Sequence, residues 1–250
     1  MERFLGLPPL ASEHGQGVND LLVYIHWLMI VLFVGWLCYF LYTLWRFQQR
    51  RNPKGDYQGV KNHASSYLEV GVAGVEAILL VFVAIPLWAK AVDKFPAEKE
   101  STVIQVVAQQ FAWNARYSGA DGTFGRQSMN LVSDSNPFGV DPTDPNGKDD
   151  LQVLNEFHVP VNKPVICYIS SKDVIHSFKV VAMRVTQDAI PGMRIPIWFK
   201  PTKEGRYQIL CAQLCGNGHA SMSAGFVMVQ SQEAFDTWLA SKSGGATSFE

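Results

Sequence analysis

Between residues 211 and 222 the chain reads Cys211-Ala-Gln-Leu-Cys215-Gly-Asn-Gly-His219-Ala-Ser-Met222. Two thiols, an imidazole and a thioether therefore follow one another at spacings of four, four and three. Thiolate and thioether are soft ligands that select copper(I), and imidazole suits both copper oxidation states. Gly216 and Gly218 let the backbone turn tightly between ligands, because glycine tolerates positive φ. His176 lies upstream, beside the β-rich run Ser177–Met183, where a sandwich would bring it to the loop. A single-copper blue site uses one cysteine, two histidines and a weak axial methionine. Two cysteines can instead bridge a pair of copper ions, each capped by one histidine and one weaker ligand. Such a site serves one-electron transfer, so neither a general base nor a nucleophile is expected. Two other chemistries stay open on these residues. Cys211 and Cys215 could pair as a disulfide in an oxidising compartment, or join two histidines in a tetrahedral zinc site. Neither uses Met222, and zinc motifs usually split their ligands into two distant pairs, so the residue types favour copper.

A loop of this kind needs rigid strands to hold it. From about Thr102 the sequence becomes a series of short β-rich runs: Thr102–Val107, Gln152–Val159, Val165–Ile169, Ser177–Met183, Arg206–Leu210 and Gly225–Val229. Their spacing and the Pro, Gly, Asp and Asn clusters between them predict a sandwich or Greek-key barrel over residues 101–231. Residues 118–150 are rich in Gly, Pro, Asp and Asn and read as an extended surface loop inserted into it. In the tail, 232–250, a short helix is expected over Glu233–Ala240, then a flexible end.

The first part of the chain is different. Leu21–Trp45 carries no formal charge and no proline, and at ~1.5 Å per residue it exceeds the ~30 Å hydrocarbon layer. It is too long for a secretory h-region, and no small-residue cleavage site follows it. Tyr67–Ala89 is a second apolar stretch, with Glu69 and Glu76 inside it and Pro86 near its far end. Between the two lie Arg46, Arg50, Arg51, Lys54 and Lys61 against the single acid Asp56. The positive-inside rule makes that loop cytoplasmic, so the segment 1–20 and everything after the hairpin 21–90 face the other side, the periplasm in a bacterium. Lys90, Lys94 and Lys99 weaken the asymmetry without reversing it.

Composition agrees with that layout. The 250 residues are 48% hydrophobic and only 17% charged, below the ~25% usual for soluble domains, so part of the chain avoids water. A net charge of −1 excludes a nucleic-acid binder held by bulk charge, and four cysteines are too few for a disulfide scaffold.

The pattern Cys-x₃-Cys-x₃-His-x₂-Met, with a histidine thirty-five residues before its first cysteine, resembles the dinuclear CuA site of cytochrome c oxidase subunit II. Asp173-Val-Ile-His176-Ser-Phe, Asp188-Ala-Ile-Pro191-Gly192 and the two-helix start extend the likeness over nearly the whole chain. The resemblance implies a two-helix transmembrane hairpin carrying an all-β cupredoxin-like Greek-key domain in a bacterial cell membrane. It implies electron receipt from a cytochrome c and delivery to the haem of subunit I, for oxygen reduction coupled to proton pumping. Subunit III and membrane lipid are implied as further partners. Cys211 and Cys215 would bridge two copper ions, with His176 and Met222 completing one, and His219 and the Gln213 carbonyl the other. At Gln213 many members have a glutamate that also binds magnesium shared with subunit I, so the amide leaves the copper contact and removes the magnesium carboxylate. Phe111 and Trp113 lie in the segment resembling the family's tryptophan-rich stretch, where the electron enters. Glu69 stands where the family has a glutamate at the mouth of a proton path, and Glu76 where it often has proline. The 250 residues contain no C-x-x-C-H motif, so no fused cytochrome c domain is expected.

Other histidines and cysteines give weaker signals. His26 is expected to face a partner helix, while His14, His63 and His158 read as ordinary polar positions. Cys38 and Cys167 read as small buried residues. Asp134, Asp141, Asp144, Asp149 and Asp150 would make the insertion an acidic surface able to steer a cytochrome c. A thioredoxin-fold copper chaperone also uses Cys-x₃-Cys and a distant histidine, but with one anchor helix, proline after the second cysteine and the histidine downstream. A quinol-oxidase subunit shares the fold but lacks the copper ligands, and nitrous oxide reductase joins the same loop to a much larger catalytic domain.

Overall fold

The computed structural model describes residues 4–55, 57–59 and 61–243; Asp56 and the outermost residues of the expected N-terminal segment and tail fall outside these. The chain divides into two compact units, one built around Gly17–Lys90 and one from Pro8–Gln16 with Ala91–Glu250.

In the first unit the charge-free run forms α1 (Gly15–Phe47), beginning before the expected Leu21. The second apolar stretch is helical over Ala64–Val92, as α2 (Ala64–Leu79), a π-helical turn (Leu80–Ala84) and α3 (Ile85–Val92). Pro86 explains the wide turn. Proline has no N–H for the helix ladder, and its ring crowds the carbonyl four residues back, at Phe82. Gly17 lies against Leu87, whose Cδ1 is 2.6 Å from where a Cβ on the glycine would sit, so the two spans run antiparallel. Both are long and apolar enough to cross a membrane, and their most apolar windows are wholly unburied. Trp36, Phe40, Val70 and Phe82 are exposed there; a helix apolar on all sides suits lipid, not water. His26 is satisfied within its own helix, its Nδ1 lying 2.7 Å from the Leu22 carbonyl oxygen. Glu69 and Glu76 both lie exposed on α2.

The second unit is a sandwich of two five-stranded sheets. Its strands are β1 (Thr102–Gln109), β2 (Ala112–Tyr117), β3 (Leu151–Leu154), β4 (Glu156–Pro160), β5 (Val165–Ser171), β6 (His176–Val180), β7 (Val185–Ala189), β8 (Ile195–Phe199), β9 (Gly205–Cys211) and β10 (Phe226–Gln230). One sheet has the order β3-β2-β1-β5-β8, the other β4-β10-β9-β6-β7. Pairing is antiparallel except for β1 with β5 and β4 with β10. Ile104, Val106 and Ala108 alternate inward from β1 and meet Phe157, Phe178, Val180, Ile209 and Val227 of the facing sheet. A helix, α4 (Gln232–Ser243), follows β10. Its Trp238 stacks on His158 with ring centroids 4.0 Å apart. His158 is therefore buried packing, with Glu156 Oε1 2.8 Å from its Nε2, and not an isolated polar position.

Several expected runs are divided or extended. Gln152–Val159 breaks at Asn155, where φ is +59°. Asparagine tolerates that left-handed conformation, and here it lets the chain pass from one sheet to the other. The Asn155 side chain accepts the Trp113 N–H at 2.9 Å, and its own N–H donates to the Trp113 carbonyl at 2.8 Å. Ser177–Met183 stops as a strand at Val180 and ends in a 3₁₀ turn, Val181–Met183.

The insertion is pinned, not merely extended. Arg116 of β2 is fully buried and pairs with the buried Asp150, while its guanidinium also donates to the Gly125 carbonyl at 2.9 Å and Gln105 Oε1 at 3.2 Å. Asp144 accepts the Arg126 N–H at 2.7 Å, Asp149 accepts the Ala120 N–H at 2.8 Å, and Asp134 pairs with Lys172. The expected acidic docking surface is thus largely engaged in holding its own loop.

Breaking one half of a buried ion pair typically costs ~3–5 kcal/mol, because the other charge is left uncompensated. Arg116→Leu should lower unfolding free energy by about that amount in chemical denaturation of the full chain and expose residues 118–150 to protease. A loss within ~0.5 kcal/mol would mean the pair does not hold the insertion.

Candidate metal centre

Three segments converge at one end of the sandwich. His176 opens β6, Cys211 closes β9, and the loop after β9 carries Gln213, Cys215, His219 and Met222. Antiparallel pairing of β6 with β9 places Phe178 opposite Cys211, and so puts His176 beside the start of the loop. The loop returns through a 3₁₀ turn, His219–Ala224, which brings Met222 back underneath.

The donor atoms lie close together. His176 Nδ1 is 3.1 Å from Met222 Sδ and 3.9 Å from Cys211 Sγ. Cys211 Sγ is 3.0 Å from the Gln213 carbonyl oxygen and 3.9 Å from Cys215 Sγ. Cys215 Sγ is 3.4 Å from both His219 Nδ1 and Met222 Sδ. His176, Cys211 and Cys215 form a group whose ligand atoms all lie within 4.8 Å of one another. At 3.9 Å the two sulfurs are not bonded, against ~2.05 Å in a disulfide.

These contacts have a pattern. Cys211 touches one member of the pair His176/Met222 and one member of the pair His219/Gln213 carbonyl. Cys215 touches the remaining member of each. Each sulfur therefore stands between the two pairs of donors. A zinc site of two cysteines and two histidines would leave Met222 Sδ and the Gln213 carbonyl without a purpose. The donor set, with its thioether and two thiols, suits a soft metal such as copper better.

The surroundings prepare the donors. Asp173 Oδ1 lies 2.8 Å from His176 Nε2. A proton on Nε2 leaves Nδ1 bare and facing the sulfurs, the usual outer support of a ligating histidine. Partial burial would raise the Asp173 carboxyl, but hydrogen bonds from the Gln110 N–H, His176 and the Val174 N–H outweigh it and hold it below its ordinary value. Met222 and His176 are fully buried, Cys215 nearly so, His219 is half-buried and Gln213 is exposed. The centre thus has a dry floor and an open rim. Burial, and then the neighbouring Cys211, pushes the Cys215 thiol up to about 11.

The two aromatics part company. Trp113 is completely buried in β2, its Nε1–H donating to the Met222 carbonyl at 2.9 Å and its ring edge-on to Phe178. It lies beneath the site and presents no surface of its own to an incoming donor. Phe111 is half-buried and rests on the ligand loop. A Cβ on Gly216 would lie 3.2 Å from Phe111 Cζ, and one on Gly218 would collide with the same ring. Glu69 belongs to the other unit and is not part of this cluster. Asp173 and Gln110 join the site without having been marked by the ligand spacing. A signal for Asp173 does exist in the sequence, since a ligating histidine needs an acceptor for its second nitrogen and Asp173 is three residues away.

The family described as "Cytochrome C oxidase subunit II, periplasmic domain" matches residues 102–231. "Alternative cytochrome c oxidase subunit 2" of Bradyrhizobium diazoefficiens is 30% identical over 232 residues, covering 92% of this chain and 82% of that protein. "Probable cytochrome c oxidase subunit 2" of Rickettsia bellii is 32% identical, covering 98% of this chain and 87% of its own. A crystal structure of the periplasmic domain of subunit II of cytochrome oxidase (CoxB) from Bradyrhizobium japonicum superposes with a TM-score of 0.45 at 28% identity, covering 60% of this chain and 98% of that one.

A thiol at about 11 is protonated at neutral pH, whereas a metal ligand must be thiolate. Metal uptake by the apo-protein should therefore release protons, and apparent affinity should rise about tenfold per pH unit for each proton displaced. Competition titrations between pH 6 and 8, as rough limits, would show this rise. A flat profile would contradict a protonated Cys215 thiol.

Proposed function

The chain belongs to the cytochrome c oxidase subunit II family, and on that premise we propose that it is the electron-accepting copper subunit of a membrane terminal oxidase. The observation that carries this reading is the contact pattern of the two thiols, each reaching one donor of both flanking pairs. Cys211 and Cys215, together with His176, Met222, His219 and the Gln213 carbonyl, would hold the two copper ions between them. When bound, the copper pair supplies a one-electron carrier whose charge is shared over both metals.

The chain's own residues do the rest. Asp173 fixes the His176 ring, and Trp113 holds the Met222 carbonyl from beneath. Both ligands are fully buried, which keeps water off that side and limits rearrangement when charge changes. Phe111, seated on Gly216 and Gly218, is the aromatic that reaches the surface, and we assign to it the path by which an electron arrives from a cytochrome c. The electron leaves for the haem of subunit I, which holds the oxygen-reducing site; this chain acts as an oxidoreductase subunit and contributes no catalytic acid or base. Gln213 offers its carbonyl to copper, and its amide supplies no carboxylate for magnesium at the boundary with subunit I.

The basic residues Arg46, Arg50, Arg51, Lys54 and Lys61 support a hairpin whose loop is cytoplasmic, with both termini and the sandwich periplasmic. Glu69 then lies near the cytoplasmic end of α2, where it serves the mouth of a proton path into subunit I. The exposed apolar faces of both helices are covered by lipid and by the partner subunits I and III.

Replacing one bridging sulfur by oxygen removes the soft ligand common to both ions. Cys215→Ser in the assembled oxidase should abolish the visible and near-infrared bands of the mixed-valence pair and reduce electron uptake from cytochrome c at least a hundredfold, on the order expected for loss of the carrier. A variant that keeps those bands would overturn the ligand assignment.

A further inference from the structure

A single hydrogen-bonded circuit runs around the outside of the donor set and joins ligands from separate segments. Gln110 and Phe111 form the two-residue connection between β1 and β2. The Gln110 backbone N–H donates to Asp173 Oδ2 at 2.7 Å, while Asp173 Oδ1 lies 2.8 Å from His176 Nε2. The Gln110 side chain points the other way, its Nε2 donating to the Cys215 carbonyl at 2.7 Å. One residue of a hairpin turn therefore grips His176 through Asp173 and Cys215 directly.

The carbonyl that Gln110 holds is in a particular place. It belongs to the peptide joining Cys215 to Gly216, and Gly216 has a φ of +133°, open in practice only to glycine. The orientation of that peptide sets where the Cys215 side chain leaves the backbone. A loop carrying Gly216 and Gly218 between its ligands has little stiffness of its own, and the carboxamide supplies an anchor from a rigid strand end. A Cβ on Gly216 would lie 2.9 Å from Gln110 Nε2, so the approach depends on the glycine as well.

We propose that Gln110 is a positioning residue for the metal centre: by holding the Cys215 carbonyl and the Asp173 carboxylate together, it fixes the bridging Cys215 sulfur relative to His176. The inference rests on the copper reading given above. Gln110 makes no contact with the metals and alters none of the six donors, so its effect is on how firmly and how symmetrically they are held. Groups that orient ligands from outside commonly change metal affinity ~10–100-fold when removed.

The test uses the full-length chain in detergent, loaded with copper, as wild type, Gln110→Leu, Asp173→Asn and the double variant, with Gln110→Glu as a second probe should Gln110→Leu fail to fold. Copper per chain, the copper hyperfine pattern and the rate at which a copper(I) chelator strips the reduced protein are measured. Both single variants should retain two coppers, show an altered hyperfine pattern and lose copper about tenfold faster. In the double variant the acceleration should fall short of the product of the two, because both substitutions cut one circuit. A folded Gln110 variant with wild-type hyperfine pattern and release rate would overturn the proposal, as would strictly multiplicative effects in the double variant. A wild type lacking the dinuclear copper signal would overturn the copper reading itself, and the positioning role with it.

Discussion

Six donor atoms from separate stretches of chain, each within about 4 Å of a neighbour, must be held in one place whether the two sulfurs carry protons or a metal. Holding them there is the constraint on which the rest of this structure depends. Three sulfurs, two imidazole nitrogens and a carbonyl oxygen come from the start of β6, the end of β9 and the loop beyond it, and no one segment could assemble them. The sandwich supplies stiffness by pairing β6 with β9, and the buried Trp113 supplies a floor by binding the Met222 carbonyl. Asp173 and Gln110 then tie the rim. The donors converge because packing and hydrogen bonds in the surrounding scaffold hold the segments that carry them.

The fold departs from simple alternation at β2. β2 is buried on both faces: Trp113, Ala115 and Tyr117 enter the core, while Arg116 is fully covered on the other side by the insertion. Some of the insertion's acidic residues hold this arrangement. Asp150 neutralises Arg116, and Asp144 and Asp149 accept backbone N–H groups, so the loop is a lid over a buried cation.

Much of this is legible in the sequence, and the failures have physical causes. Ligand spacing survives folding because the loop is local, so Cys211, Cys215, His219 and Met222 can be grouped from their spacing alone. The apolar spans are legible because lipid demands length and freedom from charge. β2 escapes detection because Ala112-Trp-Asn-Ala-Arg-Tyr117 has no polar-apolar alternation when both its faces are covered. β8 escapes because Pro196 argues against a strand, yet β8 lies at a sheet edge, where a missing N–H is harmless. Long-range partners are the least legible. The Gln110–Cys215 bond spans one hundred and five positions, and no local pattern encodes it.

The most direct measurement is the metal content and electron paramagnetic resonance spectrum of the full-length protein. This account predicts two coppers per chain and a seven-line copper hyperfine pattern, from one unpaired electron shared equally by two nuclei. A single zinc, or a metal-free protein with Cys211 and Cys215 joined as a disulfide, would contradict it.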